Sequence, residues 1–267
     1  MPSAYKLIVL DVDGTLVDCE RRISSRNLKA LEAAKRKGLR ITLASGRNYD
    51  SITPFAKAVE VNAPLILYNG CRLQDFQTRR ILEDHLLPLI QAQRALRLLP
   101  GFKLHVNLYL HDRVLIREVT ETARTSMKKD NVFAEPVGDL LSFLKDDPTK
   151  LLLIGEPLEL ERFRRAYLQD VASPPELVNS EPEYLEILPA GVSKGAALLS
   201  LCSRLEILPQ EVVAFGDGLN DLEMVKFAGL GVAMKNAHPE LKAAASYVTG
   251  SNEEDGVALA VEKFILA

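Results

Sequence analysis

The sequence predicts an α/β protein in which helices cover both faces of a parallel sheet. Two observations carry this prediction. Apolar strand-like segments alternate with helix-like segments near each end of the chain, and these strands are continuous apolar runs, which is typical of strands buried on both faces. A third observation, the loss of this alternation in the middle of the chain, indicates an inserted unit of a different kind.

The N-terminal elements follow the order strand, helix, strand, helix, strand. KLIVLD is the first strand. In SSRNLKALEAAKRKG, Leu28 and Leu31 lie on one helical stripe, Ser24 or Ser25 can cap the helix, and Gly38 can end it. LRITLASG is a second strand, YDSITPFAKAVE an imperfect helix and PLILYNG a third strand.

The same alternation returns near the C-terminal end, with helix VSKGAALLSLCSRLE, strand EVVAFGDG, helix NDLEMVKFA, strand GLGVAM and final helix NEEDGVALAVEKFI. Between the two blocks, the segments are shorter and alternate between apolar and polar residues, and prolines lie in the connections between them. One further strand and helix pair is predicted there, formed by KLLLIG and PLELERFRRAYLQ. We therefore expect a core of residues 1–83 and 187–267, with residues 84–186 inserted as an α+β domain.

Length and composition restrict the class of protein. A chain of 267 residues is long enough for a core and an insert, and a net charge of −3 gives no basic surface for nucleic acid. The cysteines, Cys19, Cys71 and Cys202, are far apart and odd in number, which argues against a disulfide framework. No apolar run approaches the roughly 20 residues that cross a bilayer. We expect a soluble, cytoplasmic protein that binds neither nucleic acid nor membrane.

Three motifs with carboxylate or hydroxyl groups come directly after predicted strands: DVDGT, ASGR and GDGLND. Because the carboxyl ends of parallel strands share one edge of the sheet, four aspartates, Asp11, Asp13, Asp217 and Asp221, are expected to converge there. Carboxylates that lie within a few ångströms of one another cannot all stay ionised without a counter-cation. Since no histidine or cysteine accompanies them, Mg²⁺ is the metal that fits best.

The residue types predict phosphoryl transfer. Asp11 and Asp13 are two apart on a strand and point the same way, so the first can attack phosphorus and the second can donate a proton to the leaving oxygen. Asp13 can then act as base when water cleaves the acyl phosphate. The Ser45 hydroxyl and the Gly46 amide can hold phosphoryl oxygens, and Lys194, near a helix start, adds a positive charge.

The motifs DVDGT, ASGR, SKG and GDGLND, in this order, resemble the four motifs of the haloacid dehalogenase superfamily. The segment that begins NDLEMVKFAGLGVAM is similar to the Cof-type phosphatase branch. The resemblance covers roughly residues 5–82 and 187–265. It implies a Rossmann-like core, Mg²⁺-dependent phosphatase chemistry, and a large cap inserted between the second and third motifs.

The resemblance also implies roles for individual residues. Asp11 would be the nucleophile and a metal ligand, and Asp13 the acid/base whose main-chain carbonyl also binds Mg²⁺. Asp217 would be a metal ligand, Asp221 would support the metal shell, and Asn220 would lie near the phosphate.

Other positions in or near the motifs are candidates for substrate contact or differ from the usual residue of the family. Asn69, in a YNG segment similar to one that faces the active site in this family, is a candidate for substrate contact, and Thr15 is another. Ser45 stands where the branch more often has threonine, which retains the hydroxyl. Arg47 either forms a local salt bridge or touches substrate. Asp13 favours a phosphatase or phosphomutase, since dehalogenases and ion-pumping ATPases lack this aspartate.

We therefore expect a Mg²⁺-dependent phosphatase that acts on small phosphorylated metabolites through an aspartyl phosphate, with sugar phosphates as one candidate class. A phosphomutase or phosphotransferase on the same core, and a metabolite-binding module that does not hydrolyse its ligand, are the alternatives. Substrate specificity is expected to lie mostly in the inserted cap. The sequence predicts no oligomeric state.

Overall fold

The computed structural model describes residues 5–169 and 173–267. The chain divides into two compact units. The core unit consists of Met1–Asp84 and Ser193–Ala267, and the inserted unit consists of His85–Val192.

Both units combine strands with helices. The strands, in chain order, are β1 (Leu7–Leu10), β2 (Arg40–Leu43), β3 (Leu65–Leu67), β4 (Arg72–Gln74), β5 (Ile81–Asp84), β6 (His105–Leu110), β7 (Arg113–Ile116), β8 (Ala134–Pro136), β9 (Lys150–Ile154), β10 (Glu176–Glu181), β11 (Tyr184–Leu188), β12 (Val212–Gly216), β13 (Leu230–Ala233) and β14 (Tyr247–Val248). The helices are α1 (Ser25–Arg36), α2 (Tyr49–Val59), α3 (Leu89–Leu98), α4 (Glu121–Asp130), α5 (Leu140–Phe143), α6 (Pro157–Leu168), α7 (Lys194–Leu205), α8 (Leu222–Phe227), α9 (Pro239–Ala244) and α10 (Gly256–Val261).

The core unit contains a parallel sheet with the strand order β14-β13-β12-β1-β2. Every residue of β1 is fully buried, as its continuous apolar sequence predicts. Leu10, at the end of β1, is paired with Leu43 of β2 and Phe215 of β12. The carboxyl ends of these three strands therefore lie side by side, and the predicted α/β fold with a parallel core is confirmed.

The third predicted strand is only partly a member of this sheet. An isolated parallel bridge joins Ile66 to Ala44. Strand β3 then pairs with β4, and β4 pairs with β5, in a small antiparallel sheet. The strand ends at Leu67 because Tyr68 and Asn69 both have positive φ angles, 52° and 56°, which extended backbone does not allow.

The helices of the core unit pack in two groups, α1 with α2 and α10, and α8 with α7 and α9. Helix α1 begins as predicted, because the Ser24 side chain accepts the Asn27 amide at the N-terminus. Gly38, with φ +91°, follows its C-terminal end. Within residues 5–169 and 173–267, no helix is long and apolar enough to cross a membrane.

The inserted unit has a mixed sheet in the order β10-β11-β9-β6-β7-β8, antiparallel except between β7 and β8. One face of this sheet packs against α3 and α6, where the rings of Phe163 and Tyr167 stack at 5.7 Å. Strand β11 pairs with β9, so the expected boundary after residue 186 falls inside a strand, and the unit continues to Val192.

Candidate active site

Two neighbouring strands of the core sheet end in aspartates. Asp11 follows β1, and its amide continues the strand ladder by donating to the Phe215 carbonyl at 3.1 Å. Asp217 follows β12, directly beside it. The in-register pairing of β1 and β12 thus brings together two carboxylates that are 206 residues apart in the chain.

Lys194 reaches these carboxylates from the start of α7. The Ser193 side chain caps this helix by accepting the Ala196 amide, so that Lys194 is its first residue. The Lys194 ammonium donates to Asp11 Oδ1 and to Asp221 Oδ1, both at 2.6 Å, and its side chain is only 1% exposed. Burial lowers the pKa of Lys194, but the two carboxylates outweigh that effect and raise it above its ordinary value, so the ammonium stays charged.

Asp221 orients the loop that carries Asp217. Its Oδ2 accepts the backbone amides of Asp217 and Gly218, both at 3.0 Å, while its Oδ1 accepts from Lys194. The Thr15 hydroxyl donates to Asp217 Oδ1 at 2.9 Å and is fully buried. Thr15, a predicted substrate contact, therefore holds a carboxylate of the site through its hydroxyl.

The carboxylates together carry more negative charge than the protein balances. Burial raises the pKa of Asp11 well above its ordinary value, and Asp221 and Asp217 add to this although Lys194 opposes it. Burial and then Asp221 raise the pKa of Asp217 to about 6, against the Thr15 hydrogen bond. When all three carboxylates are ionised, one ammonium leaves about two net negative charges, which a divalent cation would neutralise.

The donor set fits Mg²⁺. Within the described part of the chain, Asp11, Asp217 and Asp221 form a group whose ligand atoms lie within 4.8 Å of one another, and all of these atoms are carboxylate oxygens, which hard cations prefer. Gly14 lets the Asp217 carboxylate lie close to the backbone of the loop after β1, since a Cβ at this position would lie 2.3 Å from Asp217 Oδ2. The Asp13 side chain lies outside this group, so three of the four aspartates contribute a carboxylate to it; binding of Mg²⁺ by the Asp13 main-chain carbonyl stays a prediction.

The Asp13 carboxylate instead binds Arg47. The guanidinium donates from Nε to Oδ2 at 2.7 Å and from Nη2 to Oδ1 at 2.6 Å. Burial opposes ionisation of Asp13, but the Arg47 hydrogen bonds and charge prevail, and the pKa of Asp13 is lowered. The structure contains the local salt bridge that was one alternative for Arg47, and contact with substrate stays a prediction.

Ser45 and Gly46 lie in the turn after β2. The Ser45 amide donates to the Ile66 carbonyl at 2.9 Å, and its hydroxyl accepts the Arg47 amide at 3.3 Å. Because Leu43 is paired with Leu10, this turn begins at the same edge of the sheet as Asp11. The side chain of Ser45 is buried.

Asn69 and Asn220 are in contact. The Asn220 amide group donates to Asn69 Oδ1 at 3.1 Å. Asn69 has φ +56°, a left-handed conformation that asparagine adopts more readily than most residues. Its Nδ2 is buried and makes no hydrogen bond to the described residues, so an acceptor from a ligand would satisfy it.

One residue of this region was not among the sequence predictions. Asn236 donates from Nδ2 to the Gly14 carbonyl at 2.8 Å and accepts the Asn252 amide at Oδ1 at 3.2 Å. It therefore braces the loop that follows Asp11. Its place three residues after the last residue of β13, at the same edge of the sheet, is the signal that could have indicated it.

The chain matches the family described as haloacid dehalogenase-like hydrolase over residues 8–261. It is 34% identical over 278 residues to the putative phosphatase YxeH of Bacillus subtilis, with 98% of this chain and 99% of the relative covered. It is 30% identical over 263 residues to YcsE of the same organism, named 5-amino-6-(5-phospho-D-ribitylamino)uracil phosphatase, with 98% and 96% covered. A haloacid dehalogenase-like hydrolase from Bacteroides thetaiotaomicron is similar in structure, with a TM-score of 0.88 and 32% identity over 97% of this chain and 99% of that one.

The protein belongs to the haloacid dehalogenase-like hydrolase family. The resemblance carried by the four motifs is thereby confirmed. Within this family it is an enzyme of the phosphatase type, a phosphoric monoester hydrolase.

Proposed function

We propose that the protein is a Mg²⁺-dependent phosphatase that hydrolyses phosphate monoesters of small metabolites through an aspartyl phosphate on Asp11. The observation that carries this proposal is the position of Asp11, which Lys194 contacts at 2.6 Å and which shares a 4.8 Å cluster with Asp217. A carboxylate that is oriented by a buried ammonium and placed beside a candidate metal site is suited to attack phosphorus.

The reaction has two displacements. In the first, an Asp11 oxygen bonds to phosphorus, the ester P–O bond breaks, and Asp13 gives its proton to the leaving oxygen. In the second, water bonds to phosphorus, Asp13 takes a proton from that water, and the bond between phosphorus and the Asp11 oxygen breaks. Inorganic phosphate and the alcohol are the products, and Asp11 and Asp13 return to their initial states.

Asp11 and Asp217 would hold Mg²⁺, with Asp221 fixing the Asp217 loop and Lys194. The cation would stabilise charge on the transferring phosphoryl group. Thr15 orients Asp217 through its hydroxyl, which would keep that carboxylate available to the metal.

The phosphoryl oxygens would be held by a second group of residues. Ser45 and Gly46 supply a hydroxyl and an amide in the turn after β2, and Lys194 supplies positive charge. Asn69, whose buried Nδ2 has no partner within the described residues, would donate to a ligand oxygen while Asn220 holds its other end.

The substrate class rests on the relatives and on the inserted unit. YcsE is named for a phosphorylated ribitylamino compound, which supports a small polyol or sugar phosphate as substrate here. We assign specificity to the inserted unit, His85–Val192, which we propose acts as a cap. Cys19, Cys71 and Cys202 form no disulfide within the described residues, which supports a reducing, cytoplasmic location.

Phosphate release from a panel of phosphorylated sugars, cofactors and nucleotides tests the proposal. Wild-type protein is assayed with Mg²⁺ and with chelator, and Asp11→Asn serves as the blank. We expect release from one compound class that stops in chelator and returns with Mg²⁺. Full activity in chelator would contradict the metal site, and silence across the panel from folded, Mg²⁺-loaded protein would contradict the phosphatase proposal.

A further inference from the structure

We propose that Arg47 is a positioning residue that fixes the orientation of the Asp13 carboxylate and does not itself bind substrate. The inference rests on the proposed function, in which Asp13 exchanges a proton with the leaving oxygen and then with water. It concerns how a carboxylate on a solvent-exposed turn is held ready for that exchange.

The contact has the geometry of a fork. Two guanidinium nitrogens of Arg47, Nε and Nη2, donate to the two different oxygens of Asp13, at 2.7 and 2.6 Å. Parallel hydrogen bonds of this kind fix the plane of a carboxylate as well as its position. Each Asp13 oxygen keeps a second lone pair that can accept a proton while the fork is in place, although the Arg47 charge lowers the pKa of Asp13 and favours its ionised form.

Arg47 is the fixed member of the pair. Its side chain is 8% exposed, against 42% for Asp13, and its guanidinium carbon lies 5.2 Å from the centroid of the Phe55 ring. Its backbone is held on both sides, because its amide donates to Ser45 Oγ at 3.3 Å and its carbonyl accepts the Tyr68 amide at 3.1 Å. Asp13 therefore adopts the orientation that Arg47 dictates.

Such a partner matters for Asp13 because 42% of its side chain is exposed. Asp13 lies beyond the end of β1 and forms an isolated bridge with Val17, and Gly14 follows with φ +80°. An exposed aspartate side chain can occupy several rotamers. If Arg47 holds Asp13 in one rotamer, less side-chain conformational entropy has to be lost at each turnover. Misplacement of a reacting group by about 1 Å can cost about 10²-fold in rate.

The same geometry argues against direct substrate binding by Arg47. With its side chain 8% exposed and two nitrogens turned to Asp13, little of the guanidinium is accessible to a phosphoryl group. A ligand contact through Nε or Nη2 would have to break the fork. The charge that meets the phosphoryl group is expected from Lys194 instead.

A double-mutant cycle distinguishes the two roles. Wild type, Arg47→Met, Asp13→Asn and the double variant are assayed for kcat and KM with the best substrate from the panel. Methionine keeps an apolar stem beside Phe55 but removes the fork. If Arg47 acts through Asp13, Arg47→Met lowers kcat by about 10- to 100-fold in the wild-type background, with KM unchanged within about threefold, and lowers it no further in Asp13→Asn.

Arg47→Lys is the conservative variant and the safeguard against misfolding. Lysine keeps the positive charge but cannot donate in parallel to both carboxylate oxygens. We expect its kcat to lie between those of wild type and Arg47→Met, again with KM unchanged. A rise in KM of tenfold or more, of the same size in the Asp13→Asn background, would show substrate binding by Arg47 and overturn the proposal. Equal losses of kcat from Arg47→Met in both backgrounds would overturn it as well.

Urea unfolding of the same four proteins tests the pair without turnover. If the pair forms in solution, the effect of the double variant on stability is smaller than the sum of the single effects, whereas additive effects would overturn the proposal. If the wild type releases no phosphate from any panel compound although the two substitutions are coupled in stability, the proposed function is refuted and, with it, a catalytic role for the pair. An active wild type without coupling would refute the positioning role alone.

Discussion

Both units of the protein bury a lysine beside a carboxylate, and the two lysines differ in how their charge is balanced. In the inserted unit, Lys150 on β9 donates to Glu186 on the neighbouring strand β11 at 2.5 Å, with side-chain exposures of 3% and 4%. In the core unit, Lys194 contacts Asp11 and Asp221 and lies at a cluster that also contains Asp217.

The comparison shows that burial of a charge does not by itself mark a functional site. Lys150 and Glu186 neutralise each other one to one, and the ammonium also lies 4.9 Å from the Tyr109 ring centroid, so the pair is complete without a ligand. The cluster at Lys194 lacks positive charge. This imbalance, which folding alone does not relieve, is what indicates a cation and a substrate there.

Asp11→Asn should produce the largest effect. An amide is a poor nucleophile and a poor metal ligand, so we expect phosphate release to fall by at least about 10³-fold. Initial rates with the best panel substrate provide the measurement. The substitution removes one negative charge from a cluster that has more carboxylates than ammonium groups, so we expect the fold to be retained. Circular dichroism checks this. Near-normal turnover by this variant would refute the nucleophile.

Asp13→Asn should lower kcat by about 10²- to 10⁴-fold, since general acid and base catalysis is expected to make a contribution of that size. The variant keeps the shape of the side chain but loses its ability to exchange a proton, and it also loses one of the two oxygens that accept from Arg47. Single-turnover kinetics measure the chemical step directly. A change below tenfold when chemistry is rate-limiting would remove the acid/base role.

The two lysines themselves offer a matched pair of variants. Lys194→Met should reduce kcat strongly, by about 10²-fold or more, because Asp11 loses its orienting charge. Lys150→Met should leave the kcat of folded protein unchanged but destabilise it by about 3–5 kcal/mol, because Glu186 is left buried and unpaired.

The double change Lys150→Met with Glu186→Leu should recover most of that stability, since no buried charge remains. Urea unfolding and kcat measured on each variant separate stability from activity. A loss of kcat in the folded double variant would contradict the structural role assigned to the Lys150 pair.

The smallest expected effect is the pH dependence of stability and of Mg²⁺ binding. Because the pKa of Asp217 is raised to about 6 in the metal-free protein, its protonated form favours the folded state. The stability from this group is fully present below the ordinary value of 3.8 and is lost as pH rises through about 6. Mg²⁺ should remove this loss, and its affinity should weaken below pH 6, where protons compete for the carboxylate.

Thermal unfolding with and without Mg²⁺ across this pH range measures the effect. We expect stabilisation by Mg²⁺ that is larger at neutral pH than at pH 5 and that largely disappears in Asp217→Asn. Stabilisation that is independent of pH, or unchanged in Asp217→Asn, would place the metal elsewhere.

The regular elements of the core could be predicted from sequence because their signals are local. The apolar run of β1, the Ser24 cap of α1 and the strand that precedes Asp217 are each visible within a few residues. The two-residue strand β14 and the hairpin of β4 and β5 were not predicted, since strands this short carry too little periodicity to be distinguished from loops.

The candidate site was predictable to the extent that it lies at strand ends. Parallel pairing was enough to bring Asp11 and Asp217 together, whereas the partners of side chains were not predictable. The salt bridge between Arg47 and Asp13 could be predicted only as one of two alternatives, because it depends on how a turn 34 residues along the chain from Asp13 folds back upon it. The Lys150 pair, which joins residues 36 apart on β9 and β11, has no sequence signal beyond two charges in apolar strands.

The steric course at phosphorus tests the central claim most directly. The best substrate is prepared with a phosphoryl group made chiral by oxygen isotopes, and the configuration is determined after transfer to an acceptor alcohol. For hydrolysis, a thiophosphoryl group made chiral by oxygen isotopes is used instead, and the configuration of the inorganic thiophosphate is determined after transfer to isotopically labelled water. Two successive in-line displacements, through a phosphoryl group on Asp11, predict retention of configuration. Inversion would mean that water attacks the substrate directly, and it would contradict Asp11 as the nucleophile.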